Sequence, residues 1–334
     1  MPTPRWPNPH FDEGVLVWKD EYSGRFQPPP SGYGAQFDFQ WKLALEDAEY
    51  FNHPGASLDD VYIDDRIYEL TGRHPKGKAF HDPSAGTRVL DRPLEEGLIR
   101  GKCCIDIGCG MGRWTKAMMK LGARSVLSVD ISESALKSVT SFNRNARQVD
   151  ITEIPNQCPD LVGQFDLSMF WGVAMCTHDP LKAFMSAAST VKPGGSLYVM
   201  VYAPEGEHNT KLVNLQRSHF ARLDTVSERL AYVDHVAQRG WDPSYPLREN
   251  LKNLVRRSLG RPNPGKIGVL DMLEPFYNWV IPLDVLYGWM EQAGFRRTQF
   301  LNEFEKKKCA YHMLGTKRSV EARPLPAAPV YARQ

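Results

Sequence analysis

Between residues 101 and 202 short apolar runs alternate with segments whose apolar positions return every three or four residues. The first pattern reads as buried strand and the second as amphipathic helix, because strand side chains alternate faces while helix side chains realign about every 3.6 residues. The strands predicted are Cys103 to Ile107, Ser125 to Asp130, Ala146 to Asp150, Phe165 to Trp171 and Ser196 to Tyr202. Trp114, Ala117, Met118 and Leu121 fall on one face of an intervening helix, with Gly122 as its left-handed stop. Pro180 suits the first position of another helix, whose buried face is read as Leu181, Phe184, Met185, Ala188 and Val191 before the turn Lys192-Pro193-Gly194-Gly195. Such alternation predicts an α/β fold in three layers, a parallel sheet covered by helices on both faces.

The flanks have a different texture. Residues 1 to 36 are rich in Pro, Gly and Tyr, include Pro28-Pro29-Pro30, and read as an irregular arm. Phe39, Leu43, Leu45, Ala48 and Phe51 are spaced like one helical stripe, ahead of an acidic stretch around Asp59, Asp60, Asp64 and Asp65. The segment 1–100 is therefore expected to be an arm and helical cap, and 101–204 the alternating core. Residues 205–282 interrupt the alternation with a charged, mostly helical insertion carrying Arg222, Arg229, Arg239, Arg256 and Arg257. A plain loop of that length is rare inside a compact domain. These arginines are interleaved with Glu228, Asp234, Asp242 and Glu249, so a solvated helical surface is expected. The core resumes over 283–317 with a helix to Ala293, the stop Gly294, and two closing strands, Arg297 to Leu301 and Lys308 to Leu314, paired antiparallel. Residues 318–334 are expected to be a disordered tail.

Composition narrows the class. An apolar fraction of 42% over 334 residues is that of a folded globular chain, and a formal charge of +2 calls for neither nucleic acid nor an anionic membrane as partner. No apolar run has the length of a signal peptide or a membrane span, which gives a cytoplasmic expectation. Cys103, Cys104, Cys109, Cys158, Cys176 and Cys309 have no CxxC spacing, so neither zinc nor a disulfide framework is expected, and no metal site is assigned.

The chemistry concentrates in Ile105-Asp106-Ile107-Gly108-Cys109-Gly110-Met111-Gly112, which follows a buried strand and opens a helix. Glycine at alternate positions lets the backbone turn tightly and approach a ligand where a Cβ would collide. Asp106 stands two positions before the first glycine, where it can engage a cationic or donor-rich part of a cofactor, directly or through water; Asp130 ends the next strand, and Asp150 ends the third. Carboxylates at successive strand ends face the carboxyl edge, where open α/β sheets bind ligands, and Asp130 is placed to accept from a ribose diol. A dinucleotide site needs a glycine at position 113, where this chain has Arg113.

From Gly101 to Tyr202 the chain resembles the Rossmann-like core of class I S-adenosylmethionine-dependent methyltransferases, nearest the type 11 group. The resemblance implies a seven-stranded sheet with an antiparallel terminal hairpin, and S-adenosylmethionine as cofactor. It implies that Gly108, Cys109, Gly110 and Gly112 lie against the methionine part, that Asp130 holds the ribose and Asp150 the adenine amine, with Ile131, Ile151 and Trp171 beside them. Where that group commonly has paired polar residues after the fourth strand, this chain has Met175 and Cys176, followed by His178. The catalytic candidates are thus His178 as a general base, and Tyr277 or Tyr33 facing an acceptor. Ordinary packing is the competing reading for each tyrosine, and an exposed helix-start turn for His178. The expected acceptor is a small molecule methylated at O, N or C, with at most a second copy of the chain as a homodimer partner. A nicotinamide-dependent oxidoreductase and a non-catalytic cofactor-binding partner protein stand as alternatives.

Overall fold

In chain order β1 (Leu16–Val17), α1 (Gly34–Glu46) and α2 (Asp60–Thr71) precede the alternating segment. That segment runs β2 (Cys103–Ile107), α3 (Arg113–Lys120), β3 (Ser125–Asp130), α4 (Glu133–Thr140), β4 (Ala146–Gln148), α5 (Ile154–Gln157), β5 (Phe165–Trp171), α6 (Pro180–Thr190) and β6 (Val191–Tyr202). Among the described residues four helices follow: α7 (Lys211–Phe220), α8 (Val226–Ala237), α9 (Leu247–Ser258) and α10 (Lys266–Leu273). The chain then adds β7 (Trp279–Val280), α11 (Leu283–Gln292), β8 (Phe295–Phe300) and β9 (Ala310–Lys317). The computed structural model describes residues 16–17, 33–46, 58–76, 90–206, 210–259, 265–305 and 308–318. The proline run of the expected arm, Ala48, Phe51 and the tail beyond Arg318 lie outside the described residues.

The seven-stranded sheet has the order β4-β3-β2-β5-β6-β9-β8, its first five strands parallel and β9 antiparallel to both neighbours. Strand order therefore reverses between β2 and β5, and the crevice at their carboxyl ends is where such a sheet takes a ligand. Alternate residues feed two cores. Ile105, Leu127, Phe170 and Val199 pack with Phe184 of α6 and Trp289 of α11 on one side. Cys104, Val126, Leu167 and Tyr198 pack with Trp114 of α3 and Ile67 of α2 on the other. A third cluster joins Ala44 of α1, Phe220 of α7, Val233 of α8 and Leu270 of α10, so these helices form a lid with its own core. β1 pairs in parallel with β7, which ties the chain's beginning to the far end of the insertion. No described helix is long and apolar enough to cross a membrane.

Several boundaries and faces differ from the sequence expectation. β4 ends at Gln148, and Asp150 lies beyond it, capping a short turn at Thr152 rather than ending the strand. α1 buries Gln36, Gln40 and Ala44, while Leu45 is exposed, because the face turned inward carries two amides bound to distant partners, Gln36 to the Phe276 amide and Gln40 to Asp271, beside the apolar contact of Ala44. α6 turns Ala183, Phe184, Ala187 and Ala188 inward, the alanines allowing close approach to the sheet, and leaves Leu181 and Met185 half-buried. Arg229 is no surface cation: it is buried against Glu274 at 3.2 Å, whose carboxyl burial pushes up to about 7 despite that partner.

Asp106 is the polar rivet of the first βα unit. Its side chain is 1% exposed and accepts from Thr115 Oγ1 of α3 at 2.7 Å, while Thr115 Oγ1 meets Ser128 Oγ of β3 at 2.8 Å. Burial, only partly offset by the Thr115 hydrogen bonds, pushes its carboxyl up to about 6. A carboxyl raised on folding adds stability that is complete below its unfolded value and lost as pH climbs through the folded one. Asp106→Asn should therefore gain about 2 to 3 kcal/mol on the native chain between pH 4 and pH 7.5. Denaturant titrations of both proteins across that range check this, and a pH-independent difference between them refutes it.

Candidate functional site

The site begins where β2 ends. The turn from Gly108 to Gly112 spends its amides inside the protein: Gly108 N and Cys109 N donate to Val129 O at 2.8 and 3.0 Å, and Gly112 N to Cys109 O at 2.9 Å. Gly110 N donates to Asp130 Oδ2 at 2.8 Å. The loop thus presents backbone surface to the crevice rather than a row of free donors. A Cβ on Gly110, whose φ is +51°, would sit 3.0 Å from the Trp41 ring across the cavity. Gly112 has a different task, since its Cβ would collide with Phe142 and Val139 at 2.7 and 2.9 Å, and it does not line the cavity.

The crevice is a cavity of about 220 Å³, lined by Gly108, Cys109, Gly110, Asp130, Ile131, Ile151 and Trp171 from the sheet edge. Tyr33, Gln40 and Trp41 from the N-terminal segment, Tyr62 from α2, and Ile267, Gly268 and Asp271 from α10 also contribute to the wall. Asp130 is buried, with Oδ1 accepting from Ser132 N at 2.9 Å. Burial raises its carboxyl above the ordinary value although the backbone donors of Ser132, Gly110 and Ile131 pull it down. Ser132 caps α4 through Ala135 N, leaving Asp130 for the cavity. Asp38 of α1 braces the same corner, accepting from Ser132 Oγ at 2.9 Å and Ser134 N at 2.8 Å.

Other residues singled out in the sequence divide between the cavity wall, where Tyr33 and Cys176 lie, and positions outside it. Asp106 faces Thr115 and is absent from the lining. Asp150 is also outside it; its Oδ1 accepts from Tyr33 OH at 2.6 Å, Thr152 N at 2.9 Å and Thr152 Oγ1 at 2.8 Å. Tyr33 is therefore a strut on Asp150 at the cavity wall, its phenol raised far above its usual range by burial and that carboxylate. Tyr277 is fully buried, stacked on Trp279 at 6.4 Å and edge-on to Phe276 at 4.8 Å, with burial pushing its phenol up to about 12. It belongs to the core and does not line the cavity. His178 lies 5.4 Å from the Tyr33 ring and 6.5 Å from that of Tyr277, outside the lining. Cys176 does line it, with a thiol that burial pushes up, which makes it an inert wall.

The sequence reading missed three polar groups. Arg113 puts its guanidinium 4.2 Å from the Trp171 ring and donates to Tyr62 OH at 3.4 Å. Although burial works against its charge, Tyr62, Glu69 and Asp271 keep it above the usual value, a cation among aromatic walls. Its signal was its position: an arginine in the first turn of a helix opposes the macrodipole. Asp271 accepts from Gln40 Nε2 at 3.0 Å, joining α10 to α1 over the cavity. Asp271 is the lone acid in the apolar helix α10, and Gln40 a fully buried amide whose Oε1 has no partner among the described residues.

The chain is similar to known proteins. The family model described as a methyltransferase domain matches residues 80–258. Ribosomal protein L11 methyltransferase of Burkholderia lata is 35% identical over 182 residues, 54% of this chain and 52% of that protein. The protein of that name in Neisseria meningitidis is 32% identical over 171 residues, 46% of this chain and 55% of its own. The chain thus spans about half the length of the curated relatives it matches. Among solved structures, Burkholderia thailandensis 1,6-didemethyltoxoflavin-N1-methyltransferase with bound 1,6-didemethyltoxoflavin and S-adenosylhomocysteine gives a TM-score of 0.42 at 13% identity, covering 88% of this chain and 92% of that one. A S-adenosylmethionine-dependent methyltransferase from Archaeoglobus fulgidus gives 0.41 at 15%, covering 66% and 89%. With the family model spanning more than half of its residues, the chain belongs to the methyltransferase-domain family, the class I S-adenosylmethionine-dependent methyltransferases with a Rossmann-like core.

Proposed function

We propose that this protein transfers the methyl group of S-adenosylmethionine to a small-molecule acceptor enclosed beneath α1 and α10. The observation that carries the reading is the lidded cavity at the strand-order reversal, with Asp130 and the glycine turn on its floor and Gln40, Asp271 and Arg113 on its walls. Family membership removes the nicotinamide alternative, in keeping with Arg113 standing where a dinucleotide turn needs glycine. The residues fit the cofactor: a buried carboxylate borders a cavity whose apolar wall includes Ile131 and Ile151, beside a turn too tight for a Cβ. When bound, S-adenosylmethionine supplies a methyl group already activated on a sulfonium.

Asp130 would accept from the ribose hydroxyls, and Ile131 and Ile151 would flank the adenine. Arg113, the cation lining the cavity among the described residues, would face an anionic group of a ligand. Gln40 Oε1 is an acceptor awaiting a donor, and with Asp271 it would orient an N–H or O–H on the methyl acceptor. Asp271 would hold the proton that such a nucleophile sheds. Alignment of nucleophile and methyl in an enclosed site supplies much of the acceleration, so a histidine base is not required. His178, outside the lining, is given no part in the proton transfer.

The relatives named ribosomal protein L11 methyltransferases suggest a protein acceptor, but they share only about half their length with this chain. The roof of α1 and α10 favours an acceptor small enough to be enclosed. All the cysteines, Cys103 to Cys309, are free thiols, which supports a reducing, cytoplasmic setting.

Asp130→Ala should weaken S-adenosylhomocysteine binding at least tenfold by calorimetry while melting cooperatively; unchanged affinity would remove Asp130 from the cofactor's contacts. In a second measurement, tritiated S-adenosylmethionine is incubated with the protein, a metabolite extract and ribosomes. Label should enter the small-molecule fraction, and Asp271→Asn should cut that transfer at least tenfold without altering S-adenosylhomocysteine affinity. Label confined to ribosomal protein would overturn the acceptor class, and no transfer at all, with cofactor affinity intact, would favour a non-catalytic partner protein.

A further inference from the structure

Helix α9 is built inside out. Its inward residues are the amides Asn250 and Asn253, both buried, and Asn250 is held by Asp242, donating to Asp242 O at 2.7 Å and accepting from Asp242 N at 3.0 Å. Its outward face carries Leu247, Leu251, Val255 and Leu259, which are 64%, 48%, 53% and 65% exposed. Leu254 widens that row at 54% exposure. Beside it Arg248, Lys252 and Arg256 repeat at the same four-residue spacing, so an aliphatic ridge and a cationic ridge run side by side with a shallow groove between them. Lys252 pairs with Glu249 at 2.5 Å, whereas Arg248 and Arg256 make no ion pair among the described residues.

We propose that α9 is a docking site for an anionic lipid surface, lying in its plane with the leucine ridge at the acyl boundary and the arginines among the headgroups. An amphipathic helix with cations flanking an apolar row has this character, and its attraction is local. The formal charge of +2 for the whole chain conceals it, because acidic residues elsewhere cancel the row in the sum. Charge decides the occupant. A second copy of the chain would bring an equally cationic ridge to the same contact. The aliphatic side chains of one helix also fall well short of the roughly 800 Å² per partner that a stable dimer buries. A peptide partner needs a cleft with walls, whereas every described residue lining this groove comes from α9 and its final turn. A convex ridge suits a soft, deformable surface. The proposal does not depend on the methyl-transfer reading.

The 334-residue chain is sedimented with vesicles of phosphatidylcholine alone and of phosphatidylcholine with phosphatidylserine. The native chain should bind the second and not the first, and lose that binding as salt is raised. Arg248→Gln with Arg256→Gln, and separately Leu251→Gln with Val255→Gln, should each reduce it at least tenfold while keeping the native melting temperature. Failure of the native chain to bind either vesicle, or equal binding by native chain and both variants, overturns the proposal. A concentration-dependent dimer in analytical ultracentrifugation that Leu251→Gln with Val255→Gln abolishes also overturns it, and assigns the face to a second copy.

Discussion

One buried carboxylate organises the ligand edge of this fold. Asp130 receives the Gly110 amide on one oxygen and the Ser132 amide on the other, so it holds the turn after β2 and the entry to α4 in a single grip. Those backbone donors also offset part of the desolvation cost of its charge. Without that grip the Gly110 amide would lose its carboxylate partner, and the turn that lines the cavity would lose one of the bonds that fix its shape. Its position at the end of β3, beside the reversal of strand order, puts one side chain both in the architecture and on the wall of the cavity.

The sheet was legible in the sequence because its signals are short-range. Ser125–Asp130 and Phe165–Trp171 stand as strands with the bounds that their apolar runs predict, and Trp114, Ala117 and Met118 are buried together on α3. Faces set by partners from distant segments were less legible. Nothing local tells that α1 will bury Gln36, which accepts from the Phe276 amide across 240 positions, in place of Leu45. α6 shows the same limit in milder form, its face turned toward alanines by how closely the sheet lies.

The site divides along the same line. Gly108, Gly110 and Asp130 follow from motif spacing and reach the cavity, whereas Gly112 packs against Phe142 and Val139. Tyr33 was singled out to face an acceptor; it lines the cavity and also donates to Asp150, a contact 117 residues away that no local signal announces. Arg113 and Asp271 carried weak local signals, a cation at the wrong end of a helix and an acid in an apolar one, which gained meaning only when α10 folded over the β2 turn. Tyr277 shows how a dense aromatic stretch points as readily to packing as to recognition.

The lid and the floor share a side chain. Met111, within the glycine turn, is buried in the cluster formed by α1, α7, α8 and α10. Raising the roof far enough to admit or release a molecule strips that methionine of its neighbours, at a cost of roughly 1.5 to 3 kcal/mol if it becomes fully wet. Burial of Met111 therefore holds the helices above the cavity and the turn beneath it as one packed unit.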